Sequence, residues 1–252
     1  MQDEAAAKLQ ARSGWGQWPA CSRKLGLSSP RGLVNPPAPR PASEIDKHYN
    51  GNAEARAGLG APRGPEFPVR GGAVRLYQRG QVVWSGVTGA RAVYGQIFTR
   101  YGQLRWEQGL LGYPVSDEHS VPGGRQNLFQ NGVVVWSPQT GAQVLIGDIR
   151  KQYEALGGVS SPLGFPTTGE RREDGGVSQT FAGGEVYWDA STRATTALRG
   201  KVLAAYKAAG GPAGELGMPV RTAARAGGTE VVFEGGSITQ DAGTRTADVV
   251  TR

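Results

Sequence analysis

Residues 111–142 read LGYPVSDEHSVPGGRQNLFQNGVVVWSPQTGA. A tetrad LGxP, a glycine pair, an aromatic residue, a glycine and a tryptophan follow one another in this stretch, and the rest of the chain repeats that order. The tetrads are Leu59-Gly60-Ala61-Pro62, Leu111-Gly112-Tyr113-Pro114, Leu163-Gly164-Phe165-Pro166 and Leu216-Gly217-Met218-Pro219, spaced by 52, 52 and 53 residues. In the same step come Ile45, Ile97, Ile149 and Val202, then Tyr49, Tyr101, Tyr153 and Tyr206. The glycine pairs 71–72, 123–124, 175–176 and 227–228 keep register, as do Tyr77, Phe129, Phe181 and Phe233. Trp84, Trp136 and Trp188 complete three copies; Gln240 stands at the fourth position. Self-similarity at so many coincident positions marks a tandem repeat. Four units, about 43–94, 95–146, 147–199 and 200–252, fill the chain after residue 42.

Within a unit, Ile97, Tyr101 and Leu104 fall on one face of a short helix. Ser43 followed by Asp46 resembles a capping box at the first helix. A glycine such as Gly157 closes the helix in the left-handed region. In the tetrad, Leu163 and Phe165 point into the core, and Pro166 stops further helix. Asn131-Gly132 is a hairpin signal between Asn127–Gln130 and Val133–Trp136, and a third strand is expected at Gln143–Ile146. The fold class is therefore an α+β repeat protein: each unit has one short helix and a small antiparallel sheet of about three strands. Such a unit is too small to bury its own apolar face and must pack on its neighbours. Short strands with periodic glycines and aromatics are the pattern of radial arrays, so a propeller-like ring is expected.

The 252 residues include 40 glycines and 38% hydrophobic residues, enough apolar matter for a core built from short elements. No apolar run is long enough to span a bilayer, and the opening MQDEAAAKL has no signal-peptide pattern. A single Cys21 and two histidines exclude a disulfide framework and a structural zinc site. Of the net charge of +7, residues 1–42 carry +4 and the repeats +3. No basic run interleaved with aromatics tracks a phosphate backbone, so specific nucleic-acid binding is not expected. Residues 1–42 end in LVNPPAPRPA and read as an extended linker, although Trp15, Trp18 and Cys21 could belong to a preceding domain or pack on the repeats.

Glu66, Glu118 and Glu170 each lie seven residues after the leucine of a tetrad, with Ala223 at the fourth equivalent place. They could accept hydrogen bonds from sugar hydroxyls or hold a hard cation; alternatively they accept backbone amides of the adjoining glycine turn. Trp84, Trp136 and Trp188 could stack on sugar rings or wedge between units. Ser116, Asp117, Glu118 and His119 contain the residue types of a catalytic triad, but neighbours on one turn do not converge as a triad must. No nucleophile elbow, phosphate loop or metal spacing is present, so no catalytic residue, metal or cofactor is assigned.

The four tetrads, each followed by GG and then by an aromatic residue and glycine, with tryptophan in three copies, closely resemble the LGFP repeat family. That resemblance covers residues 43–252. It implies a non-catalytic tandem module of actinobacterial cell-envelope proteins, found beside hydrolases, amidases or mycoloyltransferases, that holds its protein at the cell wall. The implied partner is wall polysaccharide or peptidoglycan, and the implied location is extracellular. An alternative is the C-terminal accessory part of a secreted hydrolase or acyltransferase whose catalytic domain lies outside this chain.

Overall fold

The computed structural model describes residues 41–243 and 246–252. The expectations for Trp15, Trp18, Cys21 and the proline-rich stretch lie outside the described residues. The repeats, Glu44–Arg252, form one compact unit.

Unit one opens with helices α1 (Glu44–Gly51) and α2 (Ala53–Leu59), followed by strands β1 (Phe67–Val69), β2 (Gly72–Leu76), β3 (Gly80–Ser85) and β4 (Gly89–Tyr94). Unit two has α3 (Gly95–Gln103) and β5 (His119–Val121), β6 (Gly124–Phe129), β7 (Gly132–Ser137) and β8 (Gly141–Ile146). Unit three has α4 (Gly147–Ala155) and β9 (Arg171–Glu173), β10 (Gly176–Phe181), β11 (Gly184–Asp189) and β12 (Thr195–Leu198). Unit four has α5 (Gly200–Ala208) and β13 (Pro219–Arg225), β14 (Gly228–Phe233), β15 (Gly236–Asp241) and β16 (Asp248–Thr251). Each unit makes its own four-stranded antiparallel meander.

The sheet therefore has one strand more than the sequence reading expects, and the glycine pair explains it. Val121 pairs with Gly124, so Pro122-Gly123 is a two-residue turn joining a short first strand to the second. Gly123 has φ 80°, while a Cβ on Gly124 would lie 2.0 Å from the Trp136 carbonyl oxygen. The first glycine supplies the left-handed turn residue and the second admits the neighbouring backbone. Gly132 proves to be a strand residue too: Phe129 pairs with Gly132, which makes Gln130-Asn131 the hairpin loop. A side chain at 132 would collide with the Leu111 side chain. α1 begins directly after Ser43, but Asp46 pairs with Arg75 on β2.

The tetrad is fixed from the helix. Tyr49, Tyr101, Tyr153 and Tyr206 donate to the carbonyls of Gly60, Gly112, Gly164 and Gly217 at 3.0, 2.9, 3.0 and 2.7 Å. Each ring also packs on the aromatic residue of its unit, Tyr77, Phe129, Phe181 or Phe233, with centroids 4.7 to 5.0 Å apart. The four glycines have φ between 63° and 75°, which bends the chain so that Leu59, Leu111, Leu163 and Leu216 enter the core.

Packing between units follows from strand alternation, which gives each sheet two apolar faces. Val134 faces a core with Tyr101 and Ile97 of its own unit and Val83 and Val93 of unit one. Val133 and Val135 face the next core, with Ile149 and Tyr153 of unit three. A third cluster joins Tyr187 and Leu198 to Val202 and Tyr206 of unit four. Every junction helix is thus sandwiched between its own sheet and the preceding one.

The third residue of the tetrad has a second role beside the core position expected for Phe165, which packs against the core of unit three while Met218 is fully buried in the next. Half-buried Phe165 lies on Gly123-Gly124, Met218 on Gly175-Gly176, and the Tyr113 hydroxyl on Gly72 of the preceding unit. That hydroxyl also donates to the Arg70 carbonyl at 2.7 Å. Gly227 meets no described atom within 4 Å, and exposed Ala61 carries no ring, so this docking is seen at three junctions. The far face of the fourth sheet holds Glu230, Thr239 and exposed Val250, where the third sheet buries Ser178, Tyr187 and Leu198.

Candidate functional site

Each junction between units opens as a cleft beside the point where a fourth strand passes straight into the next helix. At the first junction the cleft, about 290 Å³, is lined by Tyr94, Gly95, Ile97, Glu118, Arg125 and Trp136. At the second, about 220 Å³ is lined by Ile146, Gly147, Asp148, Glu170, Val177 and Trp188. The strand register makes these places equivalent, since Arg125 lies opposite Trp136 and Val177 opposite Trp188. The third junction has a larger, shifted hollow of about 450 Å³ that includes Arg199 and Thr222.

Glu118 is 5% exposed and serves the junction in several ways. Its Oε1 accepts from Arg125 Nε at 2.7 Å, and Oε2 accepts from the Tyr94 amide at 3.3 Å. Its own amide donates to the Ala92 carbonyl at 3.2 Å. The carboxylate therefore binds backbone of the preceding unit, not of its own glycine turn. Burial lifts the Glu118 carboxyl above its ordinary value against the opposing pull of Arg125.

Arg125 also reaches Glu54 at 2.8 Å and the Tyr94 hydroxyl at 2.6 Å, its guanidinium 5.4 Å from the Tyr94 ring centroid. This cation lines the first cleft. Burial pushes the Tyr94 hydroxyl up to about 12.

Asp117 ties the same two units together. It accepts from the Ala92 amide at 2.8 Å and from Asn52 at 2.9 Å, with His48 Nε2 2.9 Å from Oδ1. Burial alone would raise this carboxyl; the His48 ring, the Ala92 amide and the Arg91 charge outweigh it and hold it below the usual range.

Glu170 is exposed, and desolvation by the surrounding protein raises its carboxyl. Among the described residues no cation pairs with it. Glu66 is partly buried in unit one, beside β1. Counting from the tetrad puts Ala223 at the fourth equivalent place, but pairing corrects this to Thr222. Thr222 lies opposite Val231, as Glu118 precedes His119 opposite Gln126.

Trp84, Trp136 and Trp188 are all half-buried and pack against the core of their own unit, with Trp136 and Trp188 also forming one wall of a cleft. The triad-type residues do not assemble. Ser116 Oγ donates to the Asp117 carbonyl and accepts from the Leu128 amide, while His119 lies 3.0 Å from the Asp117 carbonyl and from Gln126. No group of three or more metal-ligating side chains occurs among the described residues.

The LGFP repeat model matches residues 59–109, 111–161 and 163–214, more than half of the chain. The chain belongs to the LGFP repeat family. No curated protein matches. Among solved structures, the extracellular domain of a proposed one component system from B. thetaiotaomicron aligns at 13% identity with a TM-score of 0.18. That alignment covers 73% of this chain and 23% of the other. The LGFP repeat is a repeat module, and no described helix of this member is long and apolar enough to cross a membrane.

The sequence reading missed Arg125, Tyr94 and Asp117 as parts of the site. Their signal was departure from the repeat: Arg125 has Ala73, Val177 and Thr229 at its equivalent places, each paired opposite the Trp position.

Proposed function

We propose that these LGFP repeats form a non-catalytic extracellular module that holds its protein at the cell envelope by binding wall polysaccharide or peptidoglycan. The observation that carries this reading is a cleft at each junction, two of them walled by an indole and a carboxylate at equivalent register. An indole offers an apolar face to a sugar ring, and a carboxylate accepts from its hydroxyls. Several weak sites on one rigid body raise overall affinity through effective concentration. The tetrad docking seen at three junctions favours an open row of units over the ring expected from sequence. The non-catalytic reading draws support from the Ser116 and His119 side chains, both engaged with backbone.

The test is sedimentation of the purified chain with insoluble envelope material, with release by soluble wall fragments. Saturable, competed binding is expected. Failure to sediment at any salt concentration rejects the wall reading, and turnover of an ester, amide or glycan rejects the non-catalytic one.

A further inference from the structure

The first two junction clefts share a plan but differ in one respect. In the first, Arg125 runs beside Trp136 and sets its guanidinium between Glu118 and Tyr94. In the second, the carboxylate and the indole are kept as Glu170 and Trp188, whereas Val177 and Ile146 replace the arginine and tyrosine. With valine in the arginine's place the second cleft measures about 220 Å³, against about 290 Å³ in the first, and no cationic side chain lines it. Asp148 at its rim already has the charges of Lys151, at 2.7 Å, and Arg193 beside it, whereas among the described residues no cation pairs with Glu170.

We propose that the second cleft takes a cation on a short aliphatic stem, a guanidinium or primary ammonium group, with its head at Glu170 and its stem along Trp188. The protein's own Arg125 shows how such a group sits in the sister cleft. A cation meeting both a carboxylate and an aromatic face gains charge-assisted hydrogen bonding and attraction to the ring quadrupole. The inference deepens the wall reading by naming the chemistry of one subsite, and rests on it only for where the cation comes from.

The experiment is a nitrogen-15 NMR titration of the full chain with n-butylguanidinium, n-butylammonium and glucosamine, with n-butanol as the neutral control. The Trp188 indole N–H and the Gly147 amide should shift saturably with the alkyl cations and not with n-butanol. A response to n-butylammonium exceeding that to glucosamine marks a peptide-type amine, and the reverse marks an amino sugar. Glu170→Gln should weaken binding about tenfold, the value of one charge-assisted contact. Val177→Arg should fill the cleft and abolish the titration. Should that variant fail to fold, Glu170→Gln decides. Equal affinity in Glu170→Gln, or equal shifts at Trp136 and Trp188, overturns the proposal. Failure of the wall reading would show separately, as a parent chain that titrates with the small cations yet does not sediment with envelope material.

Discussion

Asp117 is where pH acts most directly on the first junction. Its carboxyl is held below the ordinary value of 3.8, so its contribution is fully present above that pH and is lost as pH falls through the folded value. Asp117→Asn should lower stability at neutral pH by about 1.5 to 3 kcal/mol, the usual worth of hydrogen bonds to a charged group. The gap from the parent should narrow as pH falls below 3.8 and the Asp117 carboxyl takes up its proton; paired thermal melts at neutral and acid pH check this. Glu118, one residue on, acts in the opposite sense. Its raised folded value means that stability is lost as pH rises from the ordinary 4.5 through the folded value. A glycine gives a sharper residue-scale test. Gly124→Ala puts a Cβ against the Trp136 carbonyl and Phe165, and should cost about 1 to 3 kcal/mol by urea unfolding, as overpacking does. Gly86→Ala, with open space at its Cβ, should cost less.

Among the elements, the helix, the tetrad and the last three strands of a unit were legible, because their periodicities are local: Ile and Tyr at helical spacing, and hydrophobic runs broken at turns. The short first strand was not. Its residues, Phe67–Val69, His119–Val121, Arg171–Glu173 and the start of β13, share no hydrophobic pattern, and only the turn chemistry of the glycine pair betrays the strand before it. The docking role of Tyr113, Phe165 and Met218 was equally hidden. A large apolar residue in a turn reads as core, which Met218 is, and nothing local shows the bare glycine surface of the preceding unit that also receives it. Phe165→Ala should therefore loosen the second junction, at less than the roughly 3 to 5 kcal/mol of a fully buried phenylalanine. Backbone amides of β6 should then exchange hydrogen faster than those of β2. No acceleration in β6, with unchanged stability, would show that the contact is incidental. Of the candidate site, the glutamates and tryptophans could be read from their spacing. Arg125 could not, since a repeat search discards what occurs once.

For the molecule as a whole, helices shared between adjacent sheets make one unit an incomplete body. A fragment of residues 95–146 should show no cooperative thermal transition, while 43–252 should; a sharp melt from the fragment contradicts this. The far face of the fourth sheet makes a second claim at this scale. Glu230 and Thr239 stand where other units are buried by the next helix, and a polar outer face keeps terminal repeats soluble. Glu230→Val with Thr239→Val, beside exposed Val250, should drive concentration-dependent self-association visible by sedimentation velocity.

The way Phe165 seats on Gly123-Gly124 also bears on ancestry. Each internal unit carries both halves of the same fastener, a side chain for the unit before it and a bare glycine pair for the unit after it. A duplication that inserts one more copy of the 52-residue period therefore arrives with both its neighbours already fitted. Such a lineage can change the number of its binding clefts in a single genetic event, without compensating substitutions elsewhere.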